Sequence, residues 1–119
     1  MQVEHVDFVS VLTQDVPRVK QFYTEVLGLD IETEGDSDME LRCGQVTLDV
    51  FDPSSIGQPF APSPAGIALR VADVDAARAE LEAKGVEFDG DTIQTSVCRQ
   101  AWFKDPDGNA LMLHRRFDV

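Results

Sequence analysis

One order of elements is written twice along this chain. FVSVLTQDV (Phe8–Val16) and GIALRVADV (Gly66–Val74) each run as an apolar strand into Asp-Val, and the pattern after each Asp-Val is helical. Asp15 and Asp73 are N-caps, whose carboxylates can accept from the first free backbone N–H groups. Pro17 sits in the first turn, where its missing N–H costs nothing. Val16, Val19, Phe22, Tyr23, Val26 and Leu27 then recur at helical spacing, as do Val74, Ala77 and Leu81, with Ala76 and Ala83 weaker. Gly28 and Gly85 close the two helices. A long-period repeat of this kind is one supersecondary unit used twice.

Three strands follow each helix. In the first half these are Leu29–Glu34, Met39–Cys43 and Gln45–Phe51, with a hairpin turn at Cys43-Gly44. In the second they are Val86–Phe88, Val97–Lys104 and Ala110–Arg116. The opening strands are Val3–Leu12 and the stretch with Ile67, Leu69 and Val71 on one face. Asp105-Pro106-Asp107-Gly108-Asn109 concentrates turn residues and feeds the last strand. In that strand Leu111 and Leu113 take one face, and Ala110, Met112 and His114 the other. Between the halves, Asp52–Ala65 holds four of the six prolines and no periodicity, which makes it a linker. The expected organisation is one domain, with module one at 1–52, a linker at 53–65 and module two at 66–119. Each half alone leaves a sheet face uncovered, so the halves must pack together or against another chain.

Composition narrows the function. A hydrophobic share of 43% with 27% charged residues is that of an ordinary globular domain. The net charge of −12 argues against nucleic acid, whose phosphates it would repel. No apolar run reaches membrane-spanning length and no signal-peptide pattern is present, so a cytoplasmic protein with no membrane partner is expected. Cys43 and Cys98 form neither a C-x-x-C pair nor a disulfide framework, and read as reduced thiols.

The duplicated strand–helix–three-strand unit, the Phe22-Tyr23…Leu27-Gly28-Leu29 run and the DPDGN turn together resemble the glyoxalase / bleomycin-resistance / extradiol-dioxygenase superfamily, the vicinal oxygen chelate (VOC) proteins. The resemblance covers nearly the whole chain. It implies an α+β fold of two tandem βαβββ modules, whose curved mixed sheets surround a cavity, in a homodimer.

The resemblance also implies a metal site, held in metal-dependent members by His or Glu side chains from four strands. Those positions fall at Phe8, Asp49, Gly66 and Met112. Only Asp49 offers a hard oxygen; a phenyl ring and a glycine have no donor, and a thioether is a poor ligand for Zn²⁺, Mg²⁺ or Mn²⁺. The expectation is therefore no metal and no cofactor. The cavity would be lined instead by Phe8, Ser10, Asp49, Ala68, Arg70, Trp102, Met112 and His114. An apolar pocket with a few polar groups suits an organic molecule, as in family members that sequester antibiotics without metal. Two alternatives stand beside this binding protein. One is a metal-dependent lyase, isomerase or dioxygenase with a remodelled site. The other is a dimeric structural or regulatory module without a ligand.

Other chemistry is thinner. Cys98 and His114 are the only candidates for a catalytic thiol–imidazole pair, if the last hairpin brings them together. Cys98, His114 and Asp49 could supply S, N and O donors to another ion, whereas alternation sends His5 to the face opposite Phe8. Arg70 can hold a ligand carboxylate or pair with an acid of the chain. Asp30, Glu32, Glu34, Asp36, Asp38 and Glu40 fall at every second residue, which places much of the charge on one side of a strand pair. That is a solvated face or, with Trp102 and Phe60, an acidic wall for a cationic or aromatic small molecule.

Overall fold

A computed structural model describes residues 1–118. The chain divides into two compact units, Met1–Pro62 and Ser63–Val119. The element order is β1 (Phe8–Leu12), α1 (Val16–Gln21), β2 (Asp30–Glu34), β3 (Asp38–Cys43), β4 (Val46–Phe51), β5 (Ile67–Arg70), α2 (Val74–Ala83), β6 (Ile93–Gln94), β7 (Cys98–Lys104) and β8 (Ala110–Arg116). Each unit is thus βαβββ. The first sheet has strand order β1-β4-β3-β2 and the second β5-β8-β7-β6. In both, the opening strand pairs parallel with the last and the other pairs are antiparallel. This is the α+β architecture that the repeat implies, built as two open mixed sheets.

In the first unit, Asp15 accepts from the Arg18 N–H and α1 begins one residue later. The helix loosens into a π turn over Phe22–Val26, which carries Tyr23 into full burial. The core is Val11, Val16, Val19, Tyr23, Met39, Leu41, Leu48 and Val50. The opening strand is shorter than Val3–Leu12. Its parallel partner β4 starts only after the turn at Gly44, where φ is +64°, so residues before Asp7 have no ladder to join. The linker contributes a single 3₁₀ turn, Pro53–Ile56, capped by Asp52.

The second unit repeats the scheme. Asp73 accepts from Ala76 N–H, and α2 covers one face of its sheet with Val74 and Leu81. Ala101, Phe103, Leu111 and Leu113 complete that core. The strand expected at Val86–Phe88 is reduced to a single bridge between Phe88 and Phe103. Arg78 explains this: its guanidinium lies 4.7 Å over the Phe88 ring and donates to Gly90 O and Thr92 Oγ1, both at 3.0 Å. The loop is held to the helix there, and the fourth strand forms later, at Ile93–Gln94.

The DPDGN turn is a closed hydrogen-bond network. Asp105 Oδ1 accepts from the N–H groups of Asp107 and Asn109, each at 2.9 Å, and its Oδ2 accepts from Asn109 Nδ2 at 2.9 Å. Asn109 Oδ1 in turn accepts from Ser63 N–H at 2.9 Å. Asp105 and Asn109 are both buried. The turn therefore sets the start of β8 and ties it to the segment leading into β5.

Candidate functional site

Residues directly opposite one another in paired strands share a face. On the first sheet, the face away from the core carries Phe8, Ser10, Thr47, Asp49, Glu40, Asp38 and Arg42. Asp49 sits between Ser10 and Glu40 in one row. Ser10 Oγ donates to Asp49 Oδ2 at 3.3 Å, while Oδ1 is buried with no hydrogen-bond partner. Burial raises the Asp49 carboxyl above the ordinary aspartate range, and the charges of Asp38 and Glu40 push the same way. Phe8 keeps 56% of its surface exposed within the chain.

The every-second-residue acidic pattern does not stay on one side. A bulge between Ile31 and Thr33 shifts the phase, so Glu34 pairs with core-side Met39. Glu34 there takes an ion pair from Lys20 of α1 at 2.9 Å. Glu32 remains with the Asp49 face, accepting from Thr47 Oγ1 at 3.4 Å.

On the second sheet, register assembles two rows across β5, β8 and β7. One is Ala68–Met112–Trp102 and the next is Arg70–His114–Gln100. The five residues of this unit expected to line the cavity, Ala68, Arg70, Trp102, Met112 and His114, therefore share the face opposite α2. Gln100 was not legible in advance, because an isolated glutamine has no motif. Its Oε1 accepts from Trp102 Nε1 at 2.6 Å, which fixes the indole.

The indole lies against Gly66. A Cβ at that position would come within 2.3 Å of Trp102 Cζ3, 2.7 Å of Cη2 and 2.9 Å of Met112 Cε. The glycine is thus required by a close approach, and the ring fills the space a side chain at 66 would need. Cys98 and His114 do not pair across the hairpin. Cys98 lies opposite Arg116, and its Sγ is 3.3 Å from Thr95 Oγ1 and 3.7 Å from Gln100 Nε2, whereas His114 lies opposite Gln100. Burial pushes the Cys43 thiol up, which disfavours the nucleophilic thiolate. Among the described residues, no three His, Cys, Asp or Glu side chains group to hold a metal ion.

Two βαβββ units in tandem, each with one helix and one four-stranded mixed sheet, define a module of the glyoxalase type. The chain belongs to the Glyoxalase/Bleomycin resistance protein/Dioxygenase superfamily, whose model matches residues 3–113. Among its relatives is the uncharacterized protein YaeR of Escherichia coli, 32% identical, with 97% of this chain and 96% of the relative aligned. A similar solved structure is TnmS3, an antibiotic binding protein from Streptomyces sp. CB03234. It is 32% identical with a TM-score of 0.82, covering 98% of both chains. A lactoylglutathione lyase from Agrobacterium tumefaciens shares the fold, with a TM-score of 0.81 at 18% identity over 96% of this chain and 95% of that one.

The residues at the four positions that the resemblance implies for a divalent ion do not fit one. Phe8 and Gly66 supply no donor atom, Met112 supplies only a thioether, and the indole already occupies the space at 66. Of these four positions only Asp49 carries a carboxylate.

Proposed function

We propose that this protein is a metal-free binder of a small organic molecule with an aromatic or largely apolar body. The observation that carries this reading is Trp102 packed on Gly66 beside Met112 and Ala68. It replaces an ion-holding corner by a flat, half-buried aromatic surface, and such surfaces stack on planar ligands. The likeness to an antibiotic binding protein supports the same reading. Arg70 and His114 supply the polar edge of the site. The corresponding face of the first sheet, with Phe8, Ser10 and Asp49, is proposed to bind ligand as well, and the working form to be a cytoplasmic homodimer.

The test uses Trp102, the single tryptophan of the chain. A panel of planar aromatic compounds should quench its emission saturably and raise the melting temperature through mass action. Stoichiometric metal in protein purified without chelator, with loss of binding on its removal, would overturn the metal-free reading.

A further inference from the structure

We propose that Gln100 is a positioning residue of the binding face: it holds the Trp102 indole as a preset stacking platform, and the affinity for an aromatic ligand depends on that hold. This rests on the reading of the second sheet's face as the binding surface and adds what keeps that surface in place before a ligand arrives.

Donor and acceptor chemistry fixes the contact. An indole N–H can only donate, so of the two ends of the Gln100 amide only Oε1 can answer it. It does so at 2.6 Å, from a residue two places back on β7, which alternation puts on the same face. That choice turns Nε2 toward Cys98 Sγ, 3.7 Å away and one step further back on that face. Cys98 is buried, and its Sγ lies 3.3 Å from Thr95 Oγ1. Thr95 Oγ1 in turn accepts from the backbone N–H groups of Cys98 at 3.1 Å and Val97 at 3.2 Å. The amide is therefore engaged at both ends, and the line of contacts runs from the indole to the backbone of the turn that opens β7.

The indole is held at both ends too. Nε1 sits on Gln100, while the far, benzo end, with Cζ3 and Cη2, lies in the space beside Gly66, against which Met112 Cε also packs. Gln100 and Trp102 are both half-buried, so part of the ring still faces outward. A half-exposed indole free to turn about its side-chain bonds would lose that freedom each time a ligand stacked on it. Two fixed ends remove the cost in advance. With its N–H engaged inside the protein, the ring offers a ligand its π surface and no donor. Selection at this point is by flat shape rather than by acceptors on the ligand.

The probe is 2-naphthol, titrated calorimetrically against the full chain, with the anisotropy decay of the single tryptophan recorded on ligand-free protein. Gln100→Leu keeps the bulk and removes the acceptor. It should add a fast local component to the decay and weaken naphthol binding about three- to tenfold, the scale of ordering one side chain on binding. Gln100→Glu keeps an oxygen at the same reach and should restore the slow decay and most of the affinity. Trp102→Phe keeps a ring without an N–H, and in that background Gln100→Leu should change the affinity no further. An unchanged decay in Gln100→Leu, a loosened indole with unchanged affinity, or an equal loss from Gln100→Leu in the Trp102→Phe background would each overturn the positioning role while leaving an aromatic site standing. A parent protein that binds no naphthol would overturn the site itself, and this role with it.

Discussion

Gly66→Ala is the sharpest test of the second sheet's arrangement. Gly66 does not adopt a left-handed backbone, so alanine carries no φ strain there. In open space the substitution would stabilise by about 0.4–1 kcal/mol, by restricting the unfolded chain. The space is not open: the new methyl would meet Trp102 Cζ3 at 2.3 Å and Met112 Cε at 2.9 Å. The methionine end can rotate away. The indole must move by more than 1 Å, and its bond to Gln100 at 2.6 Å opposes that. Overpacking costs about 1–3 kcal/mol, and a lost neutral hydrogen bond about 1 kcal/mol. Trp102 is only half-buried, so the ring can swing outward and the lower end of the range applies. The net expectation is a loss of about 1 kcal/mol, or about 4 °C in Tm for a domain of this size. Tryptophan emission should shift to the red as the ring leaves Gly66. In a cycle with Trp102→Ala the cost of Gly66→Ala should vanish, because the clashing ring is gone. A Gly66→Ala protein as stable as the parent or more so, with unchanged emission, would show that the ring does not lie on this glycine.

The remaining predictions concern the turn and the lone carboxylate. Asn109→Ala removes the amide that donates to Asp105 Oδ2 and accepts from Ser63 N–H. With both partners part-buried or buried, the expected loss is about 2–4 kcal/mol in urea unfolding, and a loss under about 1 kcal/mol would refute the network's role. Asp49 has a folded-state pKa above its unfolded one, through burial and then the charge of Asp38. The folded state therefore binds the extra proton, and stability falls as pH rises from the ordinary aspartate range through the raised value. Asp49→Asn should be more stable than the parent at neutral pH, with the difference shrinking as pH is lowered through that window in thermal melts. A difference independent of pH would show that the carboxylate is not the cause.

Local chemistry wrote much of the fold into the sequence. Asp15 and Asp73 cap where an N-cap aspartate should, and β8 spans the residues that alternation assigns to it. What escaped depends on pairing at a distance. The opening strand begins only at Phe8 because its parallel partner β4 begins only at Val46, which no residue near Val3 records. The strand at Val86–Phe88 gives way to the hold of Arg78 on Phe88, Gly90 and Thr92, a side-chain event from another element. The bulge after Ile31 moved Glu34 across the sheet, although charge spacing alone made it one of a row. The site follows the same division. Alternation placed Ala68, Arg70, Met112 and His114 on one face, but Gln100 and the seat of Trp102 on Gly66 appear only once β5, β8 and β7 are in register.

That seat limits what positions 66 and 112 can hold. A ligating side chain at 66 and an indole at 102 require the same space, since even a Cβ at 66 would overlap the ring. A chain can keep one or the other. With the indole in that space, position 66 can supply no partner, and an unpaired carboxylate at the half-buried position 112 would be partly desolvated at a cost. A thioether is free of that penalty and packs against the ring. Methionine therefore fits the half-buried place beside the indole with no polar group left to satisfy.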